Sequence, residues 1–133
     1  MQLLYQNQTK MIIGALYNVY NRLGYGYREK EYQRGFVSEL EKLGLVFDRE
    51  LYCNLKYDDK IISKFFIDFL VKFKEEKINI VVELKVAEEF HKKYFDQVMT
   101  YLKTNGLELG LLAIFTRKSV LIKRIINQKT KSA

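Results

Sequence analysis

The sequence contains no proline, a single cysteine, Cys53, and a single histidine, His91. Without proline there are no kinks to place along the chain. One cysteine excludes an internal disulfide, and with one histidine beside it there is no thiolate or imidazole set from which to build a zinc site. Cys53 therefore reads as a core residue and His91 as a surface one. The opening MQLLYQNQTK lacks the apolar run of a signal peptide, and no later stretch reaches membrane-spanning length. A cytoplasmic protein with no membrane partner is the expectation.

What is present points to one folded domain. The chain has 133 residues, 48% of them hydrophobic, enough for a compact unit with its own core. We expect a single domain over residues 1–127 and a loose basic tail over 128–133. Lysine and arginine outnumber acidic residues by 23 to 16, giving a formal net charge of +7. That balance favours a polyanionic partner, most simply nucleic acid.

Apolar residues recur at helical spacing from Gln6 to Leu23, and again from Arg28 to Lys42, where Gly44 ends the pattern. Leu45 to Leu55 alternates as a strand does, with Phe47, Leu51 and Cys53 inward, and Tyr57-Asp58-Asp59-Lys60 supplies a turn. A third helix is predicted over Glu89–Lys103, followed by strands over Leu107–Phe115 and Val120–Ile126. The order is two helices, three strands, a helix and two strands, an α/β (α+β) arrangement with helices flanking a sheet.

The stretch Phe65–Val86, FFIDFLVKFKEEKINIVVELKV, organises this pattern. It reads as two strands turning at Glu75-Glu76. Counting outward equally from that turn sets Asp68 opposite Glu83. The same count gathers Phe65, Ile67, Phe69, Val71 and Phe73 on one apolar face, with Asp68, Glu83 and Lys85 on the other. Directly opposed like charges are unfavourable in a plain sheet, and a divalent cation together with Lys85 would offset them. Magnesium prefers oxygen ligands and keeps several waters, so two carboxylates and the backbone carbonyl of Leu84 would suffice. Such an ion can neutralise a phosphate and activate a water, while Lys85 steadies negative charge in the transition state.

These segments, IIGALYNVYNRLGYGYREKEY, FIDFLV, INIVVELKV and DQVMTYLKTNGLELGLLAIF, resemble the GxxExxxR family of small bacterial and archaeal proteins in the PD-(D/E)xK nuclease superfamily. The resemblance covers Ile12 to about Asn127. It implies a restriction-endonuclease-like core, αβββαβ, and hydrolysis of nucleic acid, DNA rather than RNA, with Mg2+ or Mn2+ as cofactor. Asp68 and Glu83 would be metal ligands and Lys85 the catalytic lysine. Glu29 matches the signature glutamate counted from Gly26, and Gln97 the glutamine on the helix after the catalytic strand. The chain departs from the family at Gln33, which replaces the signature arginine with Arg34 beside it, at Phe66, which replaces an arginine, and at Tyr25, which replaces a proline.

Other residues carry two readings each. Glu29 in the first turn of a helix also suits the helix dipole. Gln97 and Tyr101 are either solvent-side helix residues or, with Tyr94, line the cleft and stack on a base. A one-residue adjustment of the first hairpin would set Glu50 opposite Asp68 as an accessory carboxylate. Arg34, Lys92, Lys93 and Tyr94 are candidates for nucleic-acid contact, as are Lys123, Arg124, Lys129 and Lys131, or else belong to a solvated charged face. The alternative function is a non-catalytic nucleic-acid-binding or protein-interaction module on the same fold. Targeting would then fall to loops, a homodimer or a protein partner.

Overall fold

The computed structural model describes residues 3–128. Lys129 and Lys131, and the expected tail beyond Gln128, lie outside the described residues. The elements are α1 (Gln6–Leu23), α2 (Glu29–Lys42), β1 (Val46–Tyr57), β2 (Lys60–Phe73), β3 (Ile78–Val86), α3 (Lys92–Asn105), β4 (Leu109–Phe115) and β5 (Val120–Ile126). Every element matches in order and type the one expected from the sequence. Helix α3 starts three residues later than predicted, because His91 is held extended at φ −115° as its N-cap.

The five strands form one sheet in the order β1-β2-β3-β4-β5. Neighbours are antiparallel except β3 and β4, which run parallel, so a crossover is needed between them and α3 supplies it. Helices α1 and α2 cover one face with a core that includes Ile12, Leu16, Tyr32, Phe36 and Phe69. On the other face α3 builds a second core with Val81, Val98, Leu102, Leu112 and Ile114. Every residue of β4 is buried, as a strand covered on both faces requires. Gly110 lies directly under α3; a Cβ there would come within 2.6 Å of Val98 Cγ1.

Two features fix the neighbourhood of the site. The Tyr32 ring stacks on Phe115 with centroids 4.3 Å apart, and its hydroxyl donates to the Gly24 carbonyl at 2.6 Å. The Glu31 carboxylate accepts the Arg28 backbone N–H at 2.9 Å, closing a capping box. The first holds the start of α2 against the end of the sheet, and the second fixes the helix's first turn. The second hairpin turns over Lys74–Lys77 and pairs Phe73 with Ile78, the register expected from a turn centred on Glu75-Glu76.

One expectation is corrected. Phe69, Val71 and Phe73 pack with α1 and α2, but Phe65 and Ile67 pack with α3. The same reversal divides Phe47 from Leu51 and Cys53 in β1. It falls at Glu50, whose φ of +54° is left-handed, in a register where Arg49 pairs with Phe69 and Leu51 with Ile67. A left-handed residue breaks the two-residue alternation, so the hairpin turns its inner face from one core to the other.

Candidate active site

The ladder between β2 and β3 ends at the pair Phe69 and Val82. One step further the same register sets Asp68 opposite Glu83, and there the side chains take over from the backbone. The Asp68 N–H donates to Glu83 Oε1 at 2.8 Å, and the Leu84 N–H donates to Asp68 Oδ2 at 2.8 Å. Each carboxylate thus satisfies a backbone donor, which a buried strand cannot leave unpaired. The remaining Glu83 oxygen, Oε2, lies 3.5 Å from Lys85 Nζ. Strand β3 is itself clamped to β4 through Val86, opposite Phe115, so the Glu83–Lys85 segment has little freedom.

Glu29 reaches this point from the first turn of α2. Its Oε1 accepts the Val86 N–H at 3.3 Å, which brings a third carboxylate to the end of β3. On its other side the Lys85 ammonium lies 5.3 Å from the centre of the Tyr94 ring, a cation–π contact from α3. Asp68, Glu83, Lys85, Glu29 and Tyr94 are therefore gathered at one end of the sheet by four separate elements.

The charges oppose one another strongly. Glu83 is 1% exposed. Its burial, and then the neighbouring charge of Asp68, push its carboxyl up to about 8. Burial also raises Asp68, and a bond from the Leu84 N–H only partly offsets it. Burial by itself would depress Lys85; the carboxylates of Glu83, Glu29 and Asp68 more than reverse this and hold the ammonium above its ordinary range. Burial and mutual repulsion press both carboxyls towards their protonated forms, a cost that a bound cation would relieve. Shifts of this kind, produced by burial and specific partners together, mark functional sites.

Other expected positions are distributed differently. Gln97 lines an open groove of about 270 Å³ between α3 and the first hairpin, with Ser63, Phe65 and Lys93. Tyr101, one turn on, is corrected: it is 6% exposed and packs in the second core, because α3 turns that side onto the sheet. Lys93 is exposed at the start of α3, and Lys92 pairs with Asp96 at 2.8 Å. Arg34 lies apart from these lysines and lines a groove with Arg22, Leu23 and Ser38, residues of α1 and α2. Arg124 is held internally by Thr9 Oγ1 at 3.0 Å and by the Leu4 carbonyl, so it does not face a ligand. The register sets Glu50 opposite Asp68, as a one-residue adjustment of the first hairpin predicted; its side chain is exposed and its left-handed backbone serves the reversal of the hairpin. The contact between Glu29 and the Val86 N–H had no sequence signal, since it joins residues 57 positions apart.

Among the described residues no three histidine, cysteine, aspartate or glutamate side chains converge as a ready-made metal cluster. The carboxylate pair of Asp68 and Glu83 still fits a hard divalent cation. Glu83 is cut off from solvent and Asp68 half-buried, each has one oxygen that accepts no backbone N–H, and a single lysine leaves them under-neutralised.

A mixed sheet between helices, with an Asp on one strand, Glu-x-Lys on the next and a crossover helix behind them, defines a restriction-endonuclease-like fold. A family model for the PD-(D/E)XK nuclease superfamily matches residues 6–125, and the chain belongs to that superfamily. Among solved structures, the crystal structure of SSO0001 is similar to it with a TM-score of 0.58 at 18% identity. The match covers 94% of this chain and 61% of that one, and it is a likeness of fold. No curated protein matches the sequence.

Proposed function

We propose that the protein is a nuclease that hydrolyses phosphodiester bonds with the help of Mg2+ or Mn2+, on DNA rather than RNA, and that within its superfamily it is of the GxxExxxR type. One observation carries this reading: a buried carboxylate, Glu83, and a half-buried one, Asp68, exchange bonds across parting strands with Lys85 Nζ 3.5 Å from Glu83. In an ordinary sheet that arrangement is costly, because buried charge must be paired. The free oxygens of Asp68 and Glu83, the Leu84 carbonyl and Glu29 would hold the cation. When bound, such an ion neutralises the phosphate, lowers the pKa of water and stabilises the leaving oxygen.

The side chains do the rest. Lys85, kept charged by its acidic neighbours, donates a hydrogen bond to the attacking water or to a non-bridging phosphate oxygen. Tyr94 limits where that ammonium can point. Gln97, which lines the groove between α3 and the first hairpin, would orient the lysine or the phosphate. The net charge of +7 supports a polyanionic substrate, and the restriction-endonuclease-like fold supports DNA.

The test is cleavage of supercoiled, linear and single-stranded DNA, and of RNA, with magnesium, manganese or chelator. Metal-dependent cutting by the wild type should fall at least about a hundredfold in Asp68→Asn and in Lys85→Ala. Equal residual cutting by wild type and both variants would sink the reading. Salt-sensitive DNA binding indifferent to metal would then identify a binding module.

A further inference from the structure

Beyond Asp68 the first hairpin leaves the sheet. Pairing between β2 and β3 begins only at Phe69, so the segments 51–57 and 60–67 have no strand neighbour but each other. One side of this arm is covered, since Leu51, Cys53, Phe65 and Ile67 pack with α3. The other side is open. There Tyr52 and Phe66 stand directly opposite one another, with ring centroids 5.5 Å apart and planes at 59°. They are 50% and 61% exposed.

The next pair on that side is Asn54 with Lys64, and Lys56 follows on β1. Neither lysine forms an ion pair among the described residues. Phe66 lies two residues from Asp68, so the aromatic pair starts where the carboxylate site ends. A dry interface between proteins depletes charge around its apolar centre. Here two aromatic rings are bordered by Asn54 and the unpaired Lys64, with Lys56 past the register shift and the exposed Ile61 and Ile62 towards the tip of the arm; rings with cations beside them suit a surface that stacks bases and follows phosphates.

We propose that the Tyr52–Phe66 pair is a stacking platform for unpaired bases, with Lys64 and Lys56 contacting the flanking phosphates. The substrate class is then single-stranded DNA, or the single-stranded end of a duplex. In a closed duplex the base faces are already covered by their neighbours, so the platform has nothing to accept. This inference rests on the nuclease reading for what happens next, although the platform binds whether or not the chemistry proceeds.

The test is fluorescence anisotropy of labelled single-stranded, blunt duplex and overhang-bearing DNA, with Tyr52→Ala and Phe66→Ala in an Asp68→Asn background. Single-strand and overhang binding should weaken roughly tenfold in each variant, with blunt-duplex binding unchanged. Phe66→Tyr should keep full binding. The chain has no tryptophan, so Phe66→Trp gives a unique reporter whose emission single strands should quench and blunt duplexes should not. Unaltered single-strand binding in both alanine variants, or equal loss on blunt duplex, overturns the platform. So does a dimer in light scattering that the alanine variants dissociate while single-strand binding persists, which would make the pair a contact between two copies. Wild-type cleavage run in parallel separates the two readings. A protein that binds single strands through the pair but cuts nothing fails as a nuclease and keeps the platform; one that cuts, with alanine variants binding like wild type, fails only as a platform.

Discussion

The two halves of β2 share a strand and almost nothing else. From Phe69 to Phe73 it lies inside the sheet, with Phe69, Val71 and Phe73 against α1 and α2. From Lys60 to Phe66 it is half of a two-stranded arm, with Ile61, Ile62 and Phe66 more than half exposed. Asp68 stands at the boundary. The difference teaches how a polar site arises within an apolar fold: where one strand parts from its neighbour, backbone donors lose their ladder partners, and acidic side chains are well placed to replace them. The replacement leaves two carboxylates side by side, Glu83 buried and Asp68 half-buried, which is the starting condition for holding a cation.

The contrast has measurable consequences. The largest concerns packing. Phe69→Ala should destabilise the protein by about 3–5 kcal/mol, as removal of a fully buried aromatic does. Phe66→Ala, three residues earlier, should cost less than about 0.5 kcal/mol. Urea unfolding of the two variants checks this, and equal losses would mean that the arm is as well covered as the sheet.

The boundary itself should respond to pH. The Glu83 carboxyl is raised from an ordinary 4.5 to about 8, so between those values the folded state holds a proton that the unfolded chain has released. Stability is then full below about pH 4.5, falls as pH rises through the window, and the contribution is gone above 8. One proton held across this window is worth about 1.4 kcal/mol for every pH unit it spans, so several kcal/mol are at stake. Thermal unfolding without metal should lose stability from pH 5 to 8, and Glu83→Gln should flatten that slope. Added Mg2+ or Mn2+ should raise the melting temperature more at pH 8 than at pH 5, since a cation competes with protons for the carboxylates. A slope that survives in Glu83→Gln would assign it elsewhere.

The smallest effect sharpens the geometry of the reversal. A non-glycine residue at left-handed φ costs roughly 1 kcal/mol, so Glu50→Gly should stabilise the hairpin by up to about that amount, and Glu50→Val should destabilise it. If Glu50→Gly instead lowered metal affinity while leaving stability unchanged, Glu50 would belong to the site and not to the bend.

Much of this protein was legible in its residues. The hairpin register that opposes Asp68 and Glu83 followed from equal counting around Glu75-Glu76, because antiparallel pairing around a short turn is a local matter. Helix α1 and strand β5 came out with the predicted bounds for the same reason. The reversal at Glu50 was not legible, since alternation of apolar residues says which ones are inward but not which of two cores they enter. Tyr101 was misplaced along the cleft because helical spacing groups residues on a face without saying how far the sheet wraps it.

By itself, then, the sequence determined the element order, the pairing of the central hairpin and the two acids that face one another across it, all products of local period and turn position. The family resemblance singled out Glu29, but the tertiary structure alone decided that it bonds the Val86 N–H, that Tyr94 meets Lys85, and that Tyr52 and Phe66 stand uncovered beside the site. Those contacts join elements distant in sequence, and their geometry depends on how two helical layers close over a sheet that changes its inner face at Glu50.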